Sequence, residues 1–213
     1  MKALILVDLQ YDFMPGGALA VPDGDAVVPL ANRLQGAFEL VVATQDWHPA
    51  NHGSFAANHP GRAPGEVITL GGLPQVLWPT HCVQGSRGAE LVAALDTSRI
   101  AAVLQKGCDP EIDSYSGFFD NGGRRSTGLG EFLQARGVEE VFVLGLATDY
   151  CVRFTALDAL GLKFKRVSLV VDACRAVDLS PGDGEAALAA MRAAGVEMVR
   201  SASLLSPSRS STP

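Results

Sequence analysis

Short apolar runs rich in β-branched residues alternate along this chain with stretches whose apolar positions recur at helical period. Ala3–Val7 and Leu40–Thr44 are nearly continuous, the mark of strands buried on both faces, and Ala101–Gln105, the run from Val141 to Gly145, and Arg166–Val171 read as further strands. Glu197–Val199 reads as a last short strand. Between them, residues 26–38, 90–95, 128–136 and 185–194 predict helices, with Gly137 and Gly195 as stops. Another helix opens near Cys151, where Val152, Thr155, Ala156 and Ala159 carry an apolar stripe, and ends near Gly161. Residues 49–86 and 108–126 show neither period and read as loops; loops of that length usually carry function. Residues 206–213, Ser-Pro-Ser-Arg-Ser-Ser-Thr-Pro, are low-complexity and are expected to form a flexible tail after a single domain spanning 1–205.

Buried strands alternating with helices predict a three-layer α/β/α fold whose central, mainly parallel sheet has about six strands joined by right-handed crossovers. Such sheets bind ligands beyond the carboxyl ends of their strands. Asp8, Asp46, Lys106, Cys151 and Asp172 all stand at or just past those ends. The fold would gather at one edge five residues that acyl transfer or metal binding can recruit.

Composition narrows the class. With 213 residues, 47% hydrophobic and 19% charged, the chain suits one α/β domain and is too short for two comfortable ones. A net charge of −6 argues against a nucleic-acid partner. The apolar runs are strand-sized, so no membrane span is expected; Asp8 cuts short the only signal-like start. Cys82, Cys108, Cys151 and Cys174 are scattered without CxxC spacing, as reduced thiols are. The expectation is a cytoplasmic protein with a small-molecule substrate; a homo-oligomer is left open.

Cys151 is the candidate nucleophile. In a first helical turn capped by Thr148 or Asp149, its thiol would see orphan N–H groups and the positive end of the helix dipole, which favour thiolate. The four histidines all fall between residues 48 and 81, so the base is sought at a strand end, and Asp8 is best placed. A free carboxylate is a weak base, and it needs burial or a neighbouring cation such as Lys106 to help the transfer. Cys151 N–H and the turn around Ala147 could hold an oxyanion. A buried structural cysteine, a loop-capping aspartate and a solvated lysine are the ordinary readings of the same residues, and only their coincidence weighs against these. Asp46 and His48, two apart at a strand end, can reach one ion with His81 closing the set; His52 and His59 are further candidates. One carboxylate and two imidazoles suit one divalent metal, Zn²⁺ first, with Fe²⁺ or Mn²⁺ as alternatives. Phe13, Trp47, Trp78, Tyr115 and Tyr150 flank these ends and could wall a flat substrate.

Six strings then carry a resemblance: Val7-Asp-Leu-Gln-Tyr-Asp-Phe13, Thr44-Gln-Asp-Trp-His-Pro-Ala-Asn-His-Gly-Ser-Phe55, Leu77-Trp-Pro-Thr-His-Cys-Val-Gln84, Gln105-Lys-Gly107, Asp113-Ser-Tyr-Ser116 and Gly145-Leu-Ala-Thr-Asp-Tyr-Cys-Val152. The chain resembles the nicotinamidases, which also act on pyrazinamide, within the isochorismatase-like cysteine hydrolases. The resemblance implies Asp8, Lys106 and Cys151 as a catalytic triad and Asp46, His48 and His81 as metal ligands facing the substrate's ring nitrogen. It implies Phe13, Trp78 and Tyr115 around the ring, and a cis peptide before Ala147 that turns its N–H into an oxyanion hole shared with Cys151. His52 matches a position that ligates metal in only some members. The implied activity is hydrolysis of nicotinamide to nicotinate and ammonia in NAD salvage, and of pyrazinamide to pyrazinoate, through a thioester on Cys151. The alternative is a related cysteine hydrolase of another small amide or N-carbamoyl compound.

Overall fold

The structure, a computed structural model, describes residues 1–205; the expected tail at 206–213 lies outside the described residues. In chain order the elements are β1 (Lys2–Val7), α1 (Val27–Gln35), β2 (Leu40–Asp46), β3 (Val67–Leu70), β4 (Leu73–Val76) and β5 (Ile100–Lys106). They continue with α2 (Leu129–Gln134), β6 (Glu140–Leu146), α3 (Arg153–Gly161), β7 (Arg166–Arg175), α4 (Asp183–Ala194), β8 (Glu197–Val199) and α5 (Ser201–Leu205). Six strands form one parallel sheet in the order β5-β2-β1-β6-β7-β8. α1 and α5 pack together and against β7 on one face; α3 and α4 pack together on the other, completing three layers. Ala3 through Val7 are fully buried between those layers, which is why β1 tolerates no polar alternation. No helix among the described residues is long and apolar enough to cross a membrane.

β1 stands between β2 and β6, where the strand order reverses. The crevice of a doubly wound sheet opens beyond the carboxyl ends of the strands at such a point. Asp8 follows β1, Asp46 and Lys106 end β2 and β5, and the turn to Cys151 follows β6.

Four expectations need correcting. Residues 90–95 form no helix, because their backbone groups bond the residues after β1: Tyr11 N–H donates to Glu90 O at 3.1 Å and Val92 N–H to Leu9 O at 3.0 Å. The supposed loop 49–86 contains the β3–β4 hairpin, turned on Gly71 and Gly72 with φ of +58° and +86°, the conformation a two-residue hairpin loop demands. β7 runs past Asp172 to Arg175. Asp172 accordingly serves no site; its carboxylate accepts the Ser201 N–H and hydroxyl at 2.8 and 2.7 Å and caps α5.

Candidate active site

Lys106 is the hub. Its buried Nζ pairs with Asp8 Oδ2 at 2.9 Å and with Asp46 Oδ1, donates to Ser114 O at 3.0 Å and lies 3.3 Å from Cys151 Sγ. Burial alone would drive the ammonium neutral; Asp46 and Asp8 overcome it, and its pKa stands well above the ordinary lysine value. Parallel pairing of β2 with β5 sets Asp46 directly beside Lys106, and β2 beside β1 brings Thr44 to Asp8. Thr44 Oγ1 donates to Asp8 Oδ1 at 2.6 Å and accepts the Asp8 N–H at 3.2 Å. Asp8 sits at φ +52°, a conformation that aspartate tolerates better than most residues. Burial pushes its carboxyl up to about 6, against the pull of Lys106.

Cys151 is not in the first turn of an α-helix. The Leu146–Ala147 peptide is cis, and Thr148–Val152 is a wide turn in which Ala147 O accepts the Tyr150 and Val152 N–H groups, each at 3.1 Å. α3 begins only at Arg153. Neither Thr148 nor Asp149 caps it: the Asp149 carboxylate accepts the Val177 and Asp178 N–H groups at 3.0 and 2.9 Å. The expected thiolate is therefore corrected too. Burial lifts the Cys151 thiol well above its ordinary pKa, further than Lys106 pulls it down.

Asp46 divides its oxygens. Oδ1 faces Lys106, and Oδ2 lies 3.6 Å from His48 Nε2 and 3.8 Å from His81 Nε2, too far for hydrogen bonds. Ligand atoms on a tetrahedral ion with bonds of about 2.0–2.1 Å stand about 3.4 Å apart, close to this spacing. The tautomers also fit. His48 Nδ1 bonds Gly107 O and His81 Nδ1 bonds Pro79 O, each at 2.8 Å. A carbonyl only accepts, so each Nδ1 carries the proton and each Nε2 offers its lone pair toward Asp46. Burial and the neighbouring His48 push His81 down to about 4, which keeps it neutral. Lys106 and His48 hold Asp46 well below the usual carboxylate range although burial opposes them. Burial lowers His48 and Asp46 more than restores it, so a divalent cation here would take over a role a proton otherwise fills.

His52 has the opposite arrangement. Its Nδ1 accepts the Ser54 N–H at 3.2 Å and lies 2.7 Å from Ser54 Oγ, which places the proton on Nε2. His59 Nε2 is tied to Gly53 O at 2.7 Å, inside its own loop.

A small cavity opens over these groups. Phe13, Trp78, Tyr115, Tyr150 and Ala147 line it with Cys151, Asp46, His48 and His81. Trp78 and Tyr150 meet edge to face at 4.7 Å, Tyr115 and Tyr150 at 5.4 Å, while Phe13 lies 5.6 Å from the His81 ring. Trp47 does not line it. Sequence reasoning also missed Leu19, Val177 and the buried Asp113, all on the wall, and the direct tie between Lys106 and Asp46. Only the strand register could have revealed that tie.

The Isochorismatase domain family matches residues 2–203. The chain is 54% identical to the nicotinamidase of Escherichia coli strain K12 over 92% of its length and 93% of that protein. It superposes on an Acinetobacter baumanii nicotinamidase pyrazinamidase with a TM-score of 0.92 and 47% identity, covering 96% of this chain and 98% of that one. A Pyrococcus horikoshii pyrazinamidase solved in complex with zinc gives 0.77 and 41%, over 93% and 98%.

Proposed function

The chain belongs to the isochorismatase family and, within it, to the nicotinamidases; from that premise we propose that it hydrolyses nicotinamide to nicotinate and ammonia in NAD salvage. Pyrazinamide, with the same carboxamide on a similar ring, goes to pyrazinoate by the same steps. The observation that carries this reading is one aromatic-walled cavity in which Cys151 and the Asp46–His48–His81 trio both open, with Lys106 between them.

Phe13, Trp78 and Tyr115 hold the ring flat, and its carboxamide reaches Cys151. Sγ attacks the carboxamide carbon while Asp8 accepts the thiol proton, and the N–H groups of Ala147 and Cys151 receive the oxyanion. Asp8 then returns that proton to the nitrogen, ammonia leaves, and a thioester remains. Water attacks the thioester, giving one proton to Asp8; the C–S bond breaks, nicotinate departs and Cys151 regains its thiol. A carboxyl held near 6 is ionised at neutral pH yet basic enough to carry a proton between steps. Asp46, His48 and His81 fit a single divalent ion, zinc first by the chemistry of the donor set, which when bound supplies a Lewis-acid anchor for the ring nitrogen. All four cysteines are free thiols, as suits a reducing compartment, and we place the enzyme in the cytoplasm.

Ammonia release from nicotinamide tests the reading directly. Cys151→Ala should retain the parental circular dichroism and lose turnover by about 10⁴-fold or more. Release at near-parental rate would remove Cys151 from the chemistry. A substrate panel including an N-carbamoyl amine separates this activity from that of a related cysteine hydrolase.

A further inference from the structure

Among the described residues the β3–β4 hairpin pairs only with itself, outside the main sheet, and its residues are exposed or half-exposed except at one position. That position is Gln75, 3% exposed. A buried primary amide must replace the water bonds of two N–H donors and a carbonyl. Gln75 Nε2 lies 2.9 Å from the Tyr115 hydroxyl, 3.1 Å from Asp113 Oδ2 and 2.8 Å from Val76 O. Its Oε1 stands 3.5 Å from Asn121 Nδ2, and Asn121 Oδ1 accepts the Tyr115 backbone N–H at 2.9 Å. Trp78, on the same segment, donates its indole N–H to the Tyr115 hydroxyl at 3.1 Å.

Two N–H donors from one short stretch of chain thus converge on one phenol oxygen. Tyr115 and Asp113 line the cavity; Gln75 does not. With its lone pairs engaged, the Tyr115 hydroxyl is fixed against rotation and the ring with it. Asp113 Oδ1 accepts the Ser114 N–H at 2.7 Å, so Gln75 supplies the bond that holds the other carboxylate oxygen.

We propose that Gln75 is a positioning residue for the substrate pocket, its amide clamping the Tyr115 ring and the Asp113 carboxylate that form one wall. It thereby sets affinity for the aromatic carboxamide while leaving the reacting groups untouched. The proposal rests on the nicotinamidase reading above. Gln75→Leu keeps an apolar side chain as far as the δ position and removes the donors; Gln75→Glu keeps the shape and turns a carboxylate toward Asp113.

The test is steady-state kinetics on nicotinamide for the parent, Gln75→Leu, Gln75→Glu, Tyr115→Phe and the Gln75→Leu/Tyr115→Phe double variant. Gln75→Leu should raise KM about tenfold with kcat within about twofold, the factor one lost buried hydrogen bond corresponds to. Gln75→Glu should raise it further, because like charges then face each other. In the Tyr115→Phe background, Gln75→Leu should raise KM by no more than about threefold, since part of its target is already gone. An active parent with unmoved KM in both Gln75 variants overturns the proposal alone, as does an equal KM rise in both Tyr115 backgrounds. A parent without nicotinamide turnover overturns the functional reading and this proposal with it.

Discussion

Gly107 follows β5 with φ +65°, and its carbonyl fixes the His48 tautomer through the 2.8 Å bond to Nδ1. A Cβ there would overlap the His48 ring. Gly107→Ala therefore carries two separable costs. Left-handed backbone costs an alanine on the order of 1–2 kcal/mol. Relieving the overlap requires moving His48 by on the order of 1 Å, since carbon contacts settle at about 3.5–4.0 Å. Gly137 distinguishes the two, because it has φ +69° with open space where a Cβ would stand. Gly137→Ala meets the backbone cost alone and should lower Tm by about 2–8 °C at this chain length. Gly107→Ala should lose at least as much and, in addition, bind zinc about 10–100-fold more weakly, the usual consequence of disturbing the group behind a ligand. Calorimetry gives the first number, competition with a chromogenic chelator the second, and ammonia release should follow the zinc. If Gly107→Ala matched Gly137→Ala in zinc affinity and turnover, the Gly107–His48 contact would have no bearing on the site.

Asp8→Asn should lose turnover by about 10²–10⁴-fold, the range for removing a general base. Because folding raises the Asp8 pKa from 3.8 to about 6, the neutral form's contribution to stability is full below 3.8 and is lost as pH rises through 6. The Asn variant should thus melt above the parent near neutrality, by up to about 3 kcal/mol, with the gap closing in acid; a parent more stable than the variant near neutrality would contradict the burial argument. Parental turnover should fall as pH drops through about 6, read from a pH–kcat/KM profile. Asp46→Ala should lose bound metal by elemental analysis, and parental metal content would remove Asp46 from the ligand set. Gln10 exchanges bonds with Asp46 N–H and O, both at 2.8 Å, and donates to Ala89 O at 2.8 Å. Gln10→Leu takes this partner from the buried Asp46 N–H and O, while Ala89 O still accepts from Gln45 Nε2 at 2.8 Å, so a denaturant midpoint equivalent to about 2–4 kcal/mol lower is expected.

The sheet was legible because buried parallel strands leave an unmistakable signature: Ala3–Val7 has no polar position to confuse. What was illegible depended on partners far along the chain. Glu90–Leu95 has helical spacing, yet its backbone is claimed by the residues after β1. The hairpin was concealed in a Gly- and Pro-rich stretch, although Gly71-Gly72 between Val67–Leu70 and Leu73–Val76 is a recognisable turn signal. Strand ends located most candidate residues without giving their contacts, and Asp172, read as a strand end, lies inside β7 and does only structural work. Tautomers lie further still from sequence, and they separate His48 and His81 from His52.

The high pKa of Cys151 sharpens the chemistry proposed for it. Burial raises both the Cys151 thiol and the Asp8 carboxyl, and transfer between them depends on the difference between their pKa values, not on either alone. Lys106 Nζ stands 2.9 Å from Asp8 and 3.3 Å from Sγ. Moving the proton from sulfur to Asp8 shifts one negative charge between two neighbours of the same ammonium, so the net buried charge and its distance from the cation barely change. A helix dipole stabilising a resting thiolate is then unnecessary, and the wide turn at Thr148–Val152 is free to serve geometry instead. Asp46, the third neighbour, keeps Lys106 charged throughout, since Lys106 gains from both carboxylates what burial takes away. In the proposed mechanism, a lysine held protonated by two flanking acids lets a neutral Cys151 act as a nucleophile only when a carbonyl is there to receive it.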